Sequence, residues 1–229
     1  MRAPDHPYEG ERLRALREYQ ILGTESEDSY DDLVDLAATL TSCPMAVVSL
    51  VDADRQWFKA CFGVAQRETS RDISLCAHAI LAPDLPLIVH DTWEDPRFRD
   101  NSNVHGDPFI RFYAGVPLVG VAGLPLGTLC VMDRQPRKLT EAQIKQLTAL
   151  AKQVTQLLEL RRVGRQLVQA LEQVKTLEGL LPICCQCKSI RNDEGEWMRL
   201  EGYVMSRTPA VFTHGFCPDC AKRLFPDLA

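Results

Sequence analysis

The spacing of apolar residues near the start of the chain predicts two helices. The first begins near Glu11 and ends at Gly23, and its apolar positions recur at near-helical spacing: Leu13, Leu16 and Tyr19. The second follows, and its apolar positions form one stripe: Leu33, Leu36, Ala37 and Leu40. Ser29 or a neighbouring residue can cap its N-terminus, and Cys43-Pro44 ends it.

Runs of β-branched and apolar residues downstream predict at least five strands, and therefore an α+β fold. The strands fall at residues 45–52, 56–63, 85–91, 114–119 and 126–132. The segment SLCAHAIL at 74–81 predicts a short helix. Residues 112–132 carry no charge over nearly a membrane-spanning length, but Gly and Pro recur every few residues. We therefore expect two buried strands there rather than a transmembrane helix.

From Leu139 onward the pattern predicts one long helix. Its first half has apolar residues three and four apart: Ile144, Leu147, Leu150, Val154 and Leu157. Its second half continues as a heptad series: Leu160, Val163, Leu167, Ala170, Val174, Leu177 and Leu181. Because one helix cannot bury so narrow a stripe, we expect a parallel coiled-coil homodimer through residues 139–181. Gly164 weakens the seam in its middle. The alternative to a coiled coil is a single helix folded back on its own domain.

Charge and cysteine content narrow the function classes. With 26 Lys and Arg against 31 Asp and Glu, the net charge of −5 predicts no nucleic-acid partner. The polar opening MRAPDHPYEGERLR is no secretory signal, so we expect a cytoplasmic protein with reduced thiols and no membrane partner. Nine cysteines are present, and five of them crowd into the tail: Cys184, Cys185, Cys187, Cys217 and Cys220. In a reducing compartment such a cluster favours metal binding.

The tail cysteines form two C-x-x-C pairs: Cys184 with Cys187, and Cys217 with Cys220. This pattern predicts a structural zinc site, in which each pair lies in a tight turn and four thiolates close the coordination sphere. Residues 182–229 are too few to fold on core burial alone, which favours a metal. His214 or Cys185 could replace one thiolate, and an iron–sulfur cluster is an alternative. A strand pair is expected around the turn at 192–195, with EWMRLEGYV as its second part.

Six blocks occur in order within about residues 8–160: ALREYQILGT, VVSLVDADRQWFKA, RETSRDISLCAHAIL, VHDTWEDPRFRDN, RFYAGVPL and LGTLCVMD. Together they closely resemble the GAF domains at the front of bacterial sensor kinases and cyclases. The resemblance implies an antiparallel sheet of about six strands with flanking helices. It also implies a ligand pocket between the sheet and a layer made of the 74–81 helix and the 91–112 loop. The tail resembles an extension at the end of some bacterial sensor and receiver proteins, which supports a metal-binding module.

These observations predict four parts of the chain: an N-terminal helical arm at 1–23, a GAF domain at 24–157, a coiled-coil helix at 158–181 and a small zinc-ribbon-like module at 182–229. The resemblance also implies candidate pocket residues: Cys76, His78, Asp91, Phe98, Phe109, Phe112 and Tyr113. Some light-sensing relatives attach a bilin to a cysteine on the corresponding helix, although Cys76-Ala-His78 looks like non-photosensory members. His78 or His105 could ligate a haem. Charged residues are expected to hold the loop or form surface turns: Asp91, Asp95, Arg97 and the pair Arg71-Asp72.

No catalytic residue is predicted. The cysteines of the first part of the chain are far apart in sequence and are expected to be buried and inert: Cys43, Cys61, Cys76 and Cys130. We predict a cytosolic signal-transduction sensor or adaptor. Its small-molecule-responsive GAF domain acts through a dimeric helix on a zinc-stabilised module that docks on a protein of a signalling pathway. The alternatives are a thiol-based reductase of free methionine sulfoxide, a reaction some GAF proteins catalyse, and a ligand-free dimerisation scaffold.

Overall fold

The computed structural model describes residues 2–174 and 181–225, without the side chains of 173 and 174. The chain divides into two compact units, residues 1–165 and 166–229. The predicted seam position Leu177 lies outside the described residues. Within the described ranges, no helix has both the length and the apolar character needed to cross a membrane.

A six-stranded antiparallel sheet forms the centre of the first unit. Its strands are β1 (Met45–Val51), β2 (Arg55–Phe62), β3 (Glu68–Ser70), β4 (Leu87–Val89), β5 (Phe112–Val119) and β6 (Pro125–Asp133). Their order across the sheet is β3-β2-β1-β6-β5-β4, and neighbouring strands run antiparallel. The predicted α+β fold is therefore confirmed, and the uncharged segment 112–132 forms two strands as expected.

The helices described in this unit are α1 (Glu9–Glu18), α2 (Asp28–Thr41), α3 (Leu75–Ala79), α4 (Ser102–His105) and α5 (Glu141–Val174), which continues into the second unit. The N-cap of α2 is Glu27, a neighbour of Ser29, and its side chain makes no capping hydrogen bond. Of the predicted stripe, Ala37 is buried, and Leu33 and Leu40 are half-buried against the same core. The fully buried residues of the helix are Tyr30, Val34, Ala37, Ala38 and Thr41. Leu36 lies off that face and is 44% exposed.

The two faces of the sheet supply two separate hydrophobic cores, because successive side chains of a strand point to opposite sides. The helix-side core lies between the sheet and α1, α2 and α5, and Ala46, Val48 and Leu50 of β1 point into it. The cavity-side core lies under α3 and the loop between β4 and β5, and Met45 and Val47 of β1 point into it. The predicted layer of short helix and loop is thus present on one face of the sheet.

The first half of α5 closes the helix-side core. Its buried residues are Leu147, Leu150, Ala151, Val154 and Leu158. The apolar series predicted from the sequence runs through Leu157 to Leu160, whereas the structure buries Leu158 completely and leaves Leu160 70% exposed. Positions 147, 151, 154 and 158 keep one face of a helix with 3.6 residues per turn, so Leu158 continues the buried stripe.

A buried ionic network fixes α1 to the end of the central strand β1. The Glu9 carboxylate accepts hydrogen bonds from Arg12 at 2.6 and 2.9 Å and from Arg71 at 2.5 Å. Arg12 also donates to the Val51 carbonyl at 2.7 Å, and Arg71 to the Asp52 carbonyl at 3.0 Å. Both arginine side chains are almost fully buried. Of the predicted surface or turn pair Arg71-Asp72, the turn is present as a 3-10 turn at Arg71–Ile73. Arg71 is not on the surface, because it reaches inward to a carboxylate 62 residues away in sequence.

A glycine allows the closest approach within the sheet. Gly127 of β6 pairs with Leu50 of β1. A Cβ atom at position 127 would lie 1.9 Å from the Ser49 carbonyl oxygen and 2.8 Å from the Leu50 Cα. Both are main-chain atoms of a central strand, so neither can turn aside as a flexible side chain would.

Besides the end of α5, the second unit contains two short helices and a β-hairpin whose strands have two residues each. Its described elements are β7 (Ile190–Arg191), β8 (Trp197–Met198), α6 (Leu200–Arg207) and α7 (Pro218–Leu224). The predicted strand pair is confirmed only at its turn, because the segment after Met198 is helical. Tyr203 of α6 and Ile190 of β7 are the buried side chains described here.

Candidate functional site

A narrow cavity in the first unit lies between the sheet and α3, on the predicted pocket side. Its free volume is about 30 Å³. A water molecule needs roughly 10–15 Å³ measured in this way, so the cavity has room for about two waters. Its inner end is lined by Cys76, Cys130 and Tyr113, and its outer end by Gln66 and Pro108. A cyclic nucleotide or a tetrapyrrole does not fit a space of this size.

Local structure explains why Cys76 faces the sheet. Ser74 caps α3, and its hydroxyl accepts a hydrogen bond from the Ala77 amide at 3.0 Å. The same hydroxyl donates to the Gln56 side chain on β2, which ties the start of the helix to the sheet. Helix α3 therefore presents Cys76 to the cavity-side core, where Cys130 also points.

The thiols of Cys76 and Cys130 lie side by side, with 3.8 Å between their sulfurs. The Tyr113 hydroxyl is 3.3 Å from the Cys76 sulfur and donates to it. Both cysteines are buried, as expected, but their separation by 54 residues gives no sign in the sequence that they meet. Only the pairing of β5 with β6 and the packing of α3 bring these residues together, and no local motif indicates it.

The other predicted pocket residues do not gather around this cavity. Phe98 lies in the cavity-side core with its ring against His78, at 4.8 Å between ring centroids. His78 itself lines a surface groove of about 560 Å³ next to Arg2 and Pro4. Phe112 points into the helix-side core on the opposite face of the sheet, and Phe109 is 50% exposed.

Asp91 holds the loop, as the sequence indicated. Its carboxylate accepts hydrogen bonds from Arg111 at 2.6 and 2.9 Å. These bonds lower the pKa of Asp91 below its usual value. The same guanidinium lies over the Trp93 ring at 3.9 Å from its centroid, which fixes the loop after β4 to the start of β5. Asp95 and Arg97 form a second pair at 2.6 Å.

The paired tail cysteines lie at two places in the second unit: Cys184 and Cys187 in a turn between extended segments, and Cys217 and Cys220 at the first turn of α7, where Cys217 is the N-cap. Cys184 and Cys187 belong to a turn closed by a hydrogen bond from the Lys188 amide to the Cys184 carbonyl at 3.0 Å. Hydrogen bonds with Ser189 and with Cys184 lower the pKa of Cys187 to about 7. In the other pair, hydrogen bonds with Cys220 lower the pKa of Cys217.

No three of the Cys, His, Asp and Glu side chains in the described ranges form a group that could hold a metal ion. The structure thus brings the cysteines together within each turn but does not join the two turns, and His214 is exposed on the surface. Zinc at these residues stays a prediction.

A second candidate surface is the apolar seam of α5 beyond Leu158. Its exposed apolar side chains are Leu160, Val163, Leu167, Val168 and Leu171. Between 52 and 70% of each is accessible. The spacing of three and four residues places 160, 163, 167 and 171 along one face of the helix. Contiguous exposed apolar surface of this kind marks an interaction site in soluble proteins.

Comparison with known proteins agrees with this geometry. The family model described as GAF domain matches residues 25–158. A cyclic di-GMP phosphodiesterase of Pseudomonas aeruginosa is 40% identical over 156 residues, which is 67% of this chain and 26% of the relative. The chain thus spans about a quarter of that protein's length.

Two solved structures show the same fold at low sequence identity. The PixJ GAF domain of Thermosynechococcus elongatus, in its blue-light-absorbing form, has a TM-score of 0.52 at 21% identity, over 70% of this chain and 96% of that one. The GAF domain of an Acinetobacter phosphoenolpyruvate-protein phosphotransferase has a TM-score of 0.51 at 19% identity, over 68% of this chain and 98% of that one. With its central sheet, its layer of short helix and loop, and a family match over more than half its length, the chain belongs to the GAF domain family.

Proposed function

We propose that this chain is a cytoplasmic signalling sensor or adaptor that dimerises through α5 and presents its cysteine-rich tail to a signalling protein. The observation that carries the proposal is the character of α5, a single helix of 34 residues. Its first half is buried in the core of the GAF domain, and the next turns expose an apolar seam. Packing of that seam against a second copy buries it, as in a parallel coiled coil.

The dimer has a direct test in the substitution Leu167→Glu. Each dimer would lose two buried leucines, and burial of one leucine contributes about 1.5–3 kcal/mol. We therefore expect the dimer dissociation constant to rise by at least about 100-fold. Sedimentation equilibrium or light scattering on the full chain measures this change.

The matched control is Gln169→Glu, which adds the same charge to the same exposed helix outside the heptad series. It should leave the dimer intact. A wild-type chain that is monomeric at about 50 µM, well above the micromolar range of ordinary homodimers, would remove the basis of the proposal.

Signal transmission requires that two states of the GAF domain place α5 differently. A ligand shifts such an equilibrium only by its differential affinity for the two states. Because α5 is one continuous helix, it connects the core of the GAF domain mechanically to the exposed seam. Saturating ligand should change hydrogen exchange in the seam and in the tail, and exchange unchanged there would exclude transmission along α5.

The small cavity favours a second candidate function, a ligand-free dimerisation scaffold. With room for about two waters, the space under α3 holds no nucleotide or pigment without rearrangement. In a scaffold the GAF domain positions α5 and nothing more. The reductase of free methionine sulfoxide stays a prediction, and its substrate is also much larger than this cavity.

For the tail, we propose zinc bound by Cys184, Cys187, Cys217 and Cys220. The C-x-x-C spacing and the two cysteine turns support it, and the ion would join segments that are distant in sequence. Purified full-length protein should contain about one equivalent of zinc per chain. Cys187→Ser should lose most of it, whereas Cys185→Ser should retain it.

Elemental analysis of the two variants and of His214→Ala decides which ligands are used. Loss of zinc in His214→Ala or Cys185→Ser, with retention in Cys187→Ser, would redefine the ligand set. Iron with acid-labile sulfide in place of zinc would identify an iron–sulfur cluster. Less than about half an equivalent of either metal contradicts the tetrahedral site.

The relation to the Pseudomonas aeruginosa protein concerns the shared segment. That protein is named a cyclic di-GMP phosphodiesterase, and about three quarters of its length has no counterpart in the match with this chain. For this chain we propose the regulatory role of such a segment, with the output supplied by a partner of a signalling pathway.

A further inference from the structure

The proposed dimer and zinc site use neither of the two thiols that meet inside the GAF domain. Cys76 and Cys130 come from elements 54 residues apart in sequence, α3 and β6, yet their sulfurs are 3.8 Å apart. Cys76 is 2% exposed and Cys130 is 1% exposed. A disulfide needs an S–S distance of about 2.0 Å, so the two sulfurs must approach by about 1.8 Å to form one.

Three hydroxyl groups lie around the Cys76 sulfur, those of Tyr113, Ser49 and Thr128. The Tyr113 hydroxyl donates to the sulfur at 3.3 Å. The hydroxyls of Ser49 and Thr128 also face Cys76. Both are buried, and neither has a hydrogen-bond partner among the described residues. A buried hydroxyl without an acceptor destabilises the fold. An ionised Cys76 sulfur would accept a hydrogen bond from both hydroxyls.

This environment affects the two thiols in opposite directions. Burial opposes ionisation of Cys76, but the Cys130 thiol and the hydroxyls of Thr128, Tyr113 and Ser49 outweigh it and lower the pKa of Cys76 to about 7. The neighbouring Cys76 and burial raise the pKa of Cys130 well above its usual value. Cys76 therefore resembles an attacking thiolate and Cys130 a protonated resolving thiol.

The cavity selects the size of molecule that can reach these sulfurs. Its outer end is lined by Gln66, which is exposed, and by the half-buried Thr69 and Pro108. Its volume of about 30 Å³ has room for about two water molecules. Hydrogen peroxide has that size, whereas an amino-acid sulfoxide does not fit. The buried Thr69 hydroxyl also has no partner among the described residues and can bind a small polar molecule there.

We propose that Cys76 and Cys130 form a peroxide-oxidised dithiol site that is closed by a disulfide between α3 and β6. The Cys76 thiolate attacks one oxygen of hydrogen peroxide, an S–O bond forms, the O–O bond breaks, and the departing hydroxide takes up a proton to become water. The Cys130 sulfur then attacks the Cys76 sulfenic acid. The S–S bond forms, the S–O bond breaks, and the second hydroxide leaves as water with the proton from Cys130. Two thiols are oxidised by two electrons, and one peroxide is reduced to two waters.

Peptide mapping under non-reducing conditions tests the site directly in the full chain. Trypsin releases Cys76 in residues 72–97 and Cys130 in residues 112–134, each as the single cysteine of its peptide. After brief exposure to hydrogen peroxide, these peptides should appear linked, and reduction should separate them. Free methionine sulfoxide at the same concentration should not link them. Absence of the linked peptide, or linkage by the sulfoxide but not by peroxide, overturns the proposal.

Variants assign the two roles. In Cys130→Ser, a 1,3-dione probe should trap sulfenic acid at Cys76, because no thiol remains to resolve it. In Cys76→Ser, Cys130 should stay reduced, and its oxidation at the wild-type rate would contradict the assignment. Cys43→Ser is the control, since Cys43 lies in the helix-side core and burial raises its pKa.

Tyr113→Phe keeps both thiols and removes only one hydrogen bond to Cys76, so it tests the proposal without loss of a cysteine. Loss of a single hydrogen bond to the thiolate should slow disulfide formation by about fivefold. A rate equal to that of wild type would show that Cys76 does not react as the thiolate stabilised by this hydroxyl. The mass readout is independent of oligomeric state, so failure here leaves the proposed dimer untouched.

Discussion

Glu9→Gln should destabilise the GAF domain by about 3 kcal/mol at neutral pH, because removal of one partner from a buried ionic network leaves uncompensated charge. The carboxylate is the shared acceptor for Arg12 and Arg71, whose side chains are 0% and 3% exposed. The variant keeps the shape of the side chain and removes only its charge. Urea unfolding should show a midpoint lower by about 1.5 M. Fluorescence of the buried Trp57 reports the transition.

The same network predicts a defined pH dependence. Burial opposes ionisation of Glu9, but its hydrogen bonds with the two arginines prevail and lower its pKa to about 2. A carboxylate whose pKa is lower in the folded state stabilises the fold above its unfolded pKa, and that contribution is lost as pH falls through the folded pKa. The difference between wild type and Glu9→Gln should therefore be full at pH 7 and shrink between about pH 5 and pH 2.

Glu11→Gln is the matched control, since Glu11 lies exposed on the same helix. It should change the free energy of unfolding by no more than about 0.5 kcal/mol. Equal effects of the two substitutions, or a difference that does not depend on pH, would mean that Glu9 contributes by packing alone.

Gly127→Ala should cost at least about 3 kcal/mol, because its new methyl group meets main chain rather than a movable side chain. The added Cβ lies 1.9 Å from the Ser49 carbonyl oxygen, so β1 and β6 must separate in the middle of the sheet. We expect the melting temperature of the GAF domain to fall by about 10 °C. Differential scanning calorimetry of the full chain measures it.

Gly10→Ala is the counterpart in α1, where a Cβ would meet nothing within 4 Å. Alanine is favoured over glycine in a helix by about 1 kcal/mol, so this variant should be as stable as wild type or more so. If Gly127→Ala yields no soluble protein and Gly10→Ala does yield it, the prediction is confirmed in a stronger form. Equal melting temperatures for the two variants would contradict the close approach.

The sequence was sufficient to predict most elements of the fold. Strands such as 45–51 are dense in β-branched residues, and the periodicity of α5 is strong, so local pattern alone identified them. The exceptions have a common cause. Apolar spacing places Leu36 on the buried face of α2 and omits Leu158 from that of α5, because the face of a helix that meets the sheet is set by tertiary packing.

The candidate site was harder to predict, because it is made of long-range contacts. Asp91 was correctly assigned to the loop, since its partner Arg111 lies near it in the same connection. Nothing near Arg71 in sequence indicates that it is buried and pairs with Glu9. The adjacency of Cys76 and Cys130 is equally invisible in the sequence, because it depends on the order of the strands.

The continuity of α5 has a geometric consequence. An α-helix turns by about 100° per residue, so the step from the buried Leu158 to the exposed Leu160 is a rotation of about 200°. The angular phase between the stripe that holds the GAF domain and the seam is therefore fixed by a spacing of two residues. One inserted residue would swing the seam about 100° around the helix, whereas four would return it to within about 40°. The register of the helix, more than the chemistry of any one seam residue, therefore sets the direction in which the seam faces.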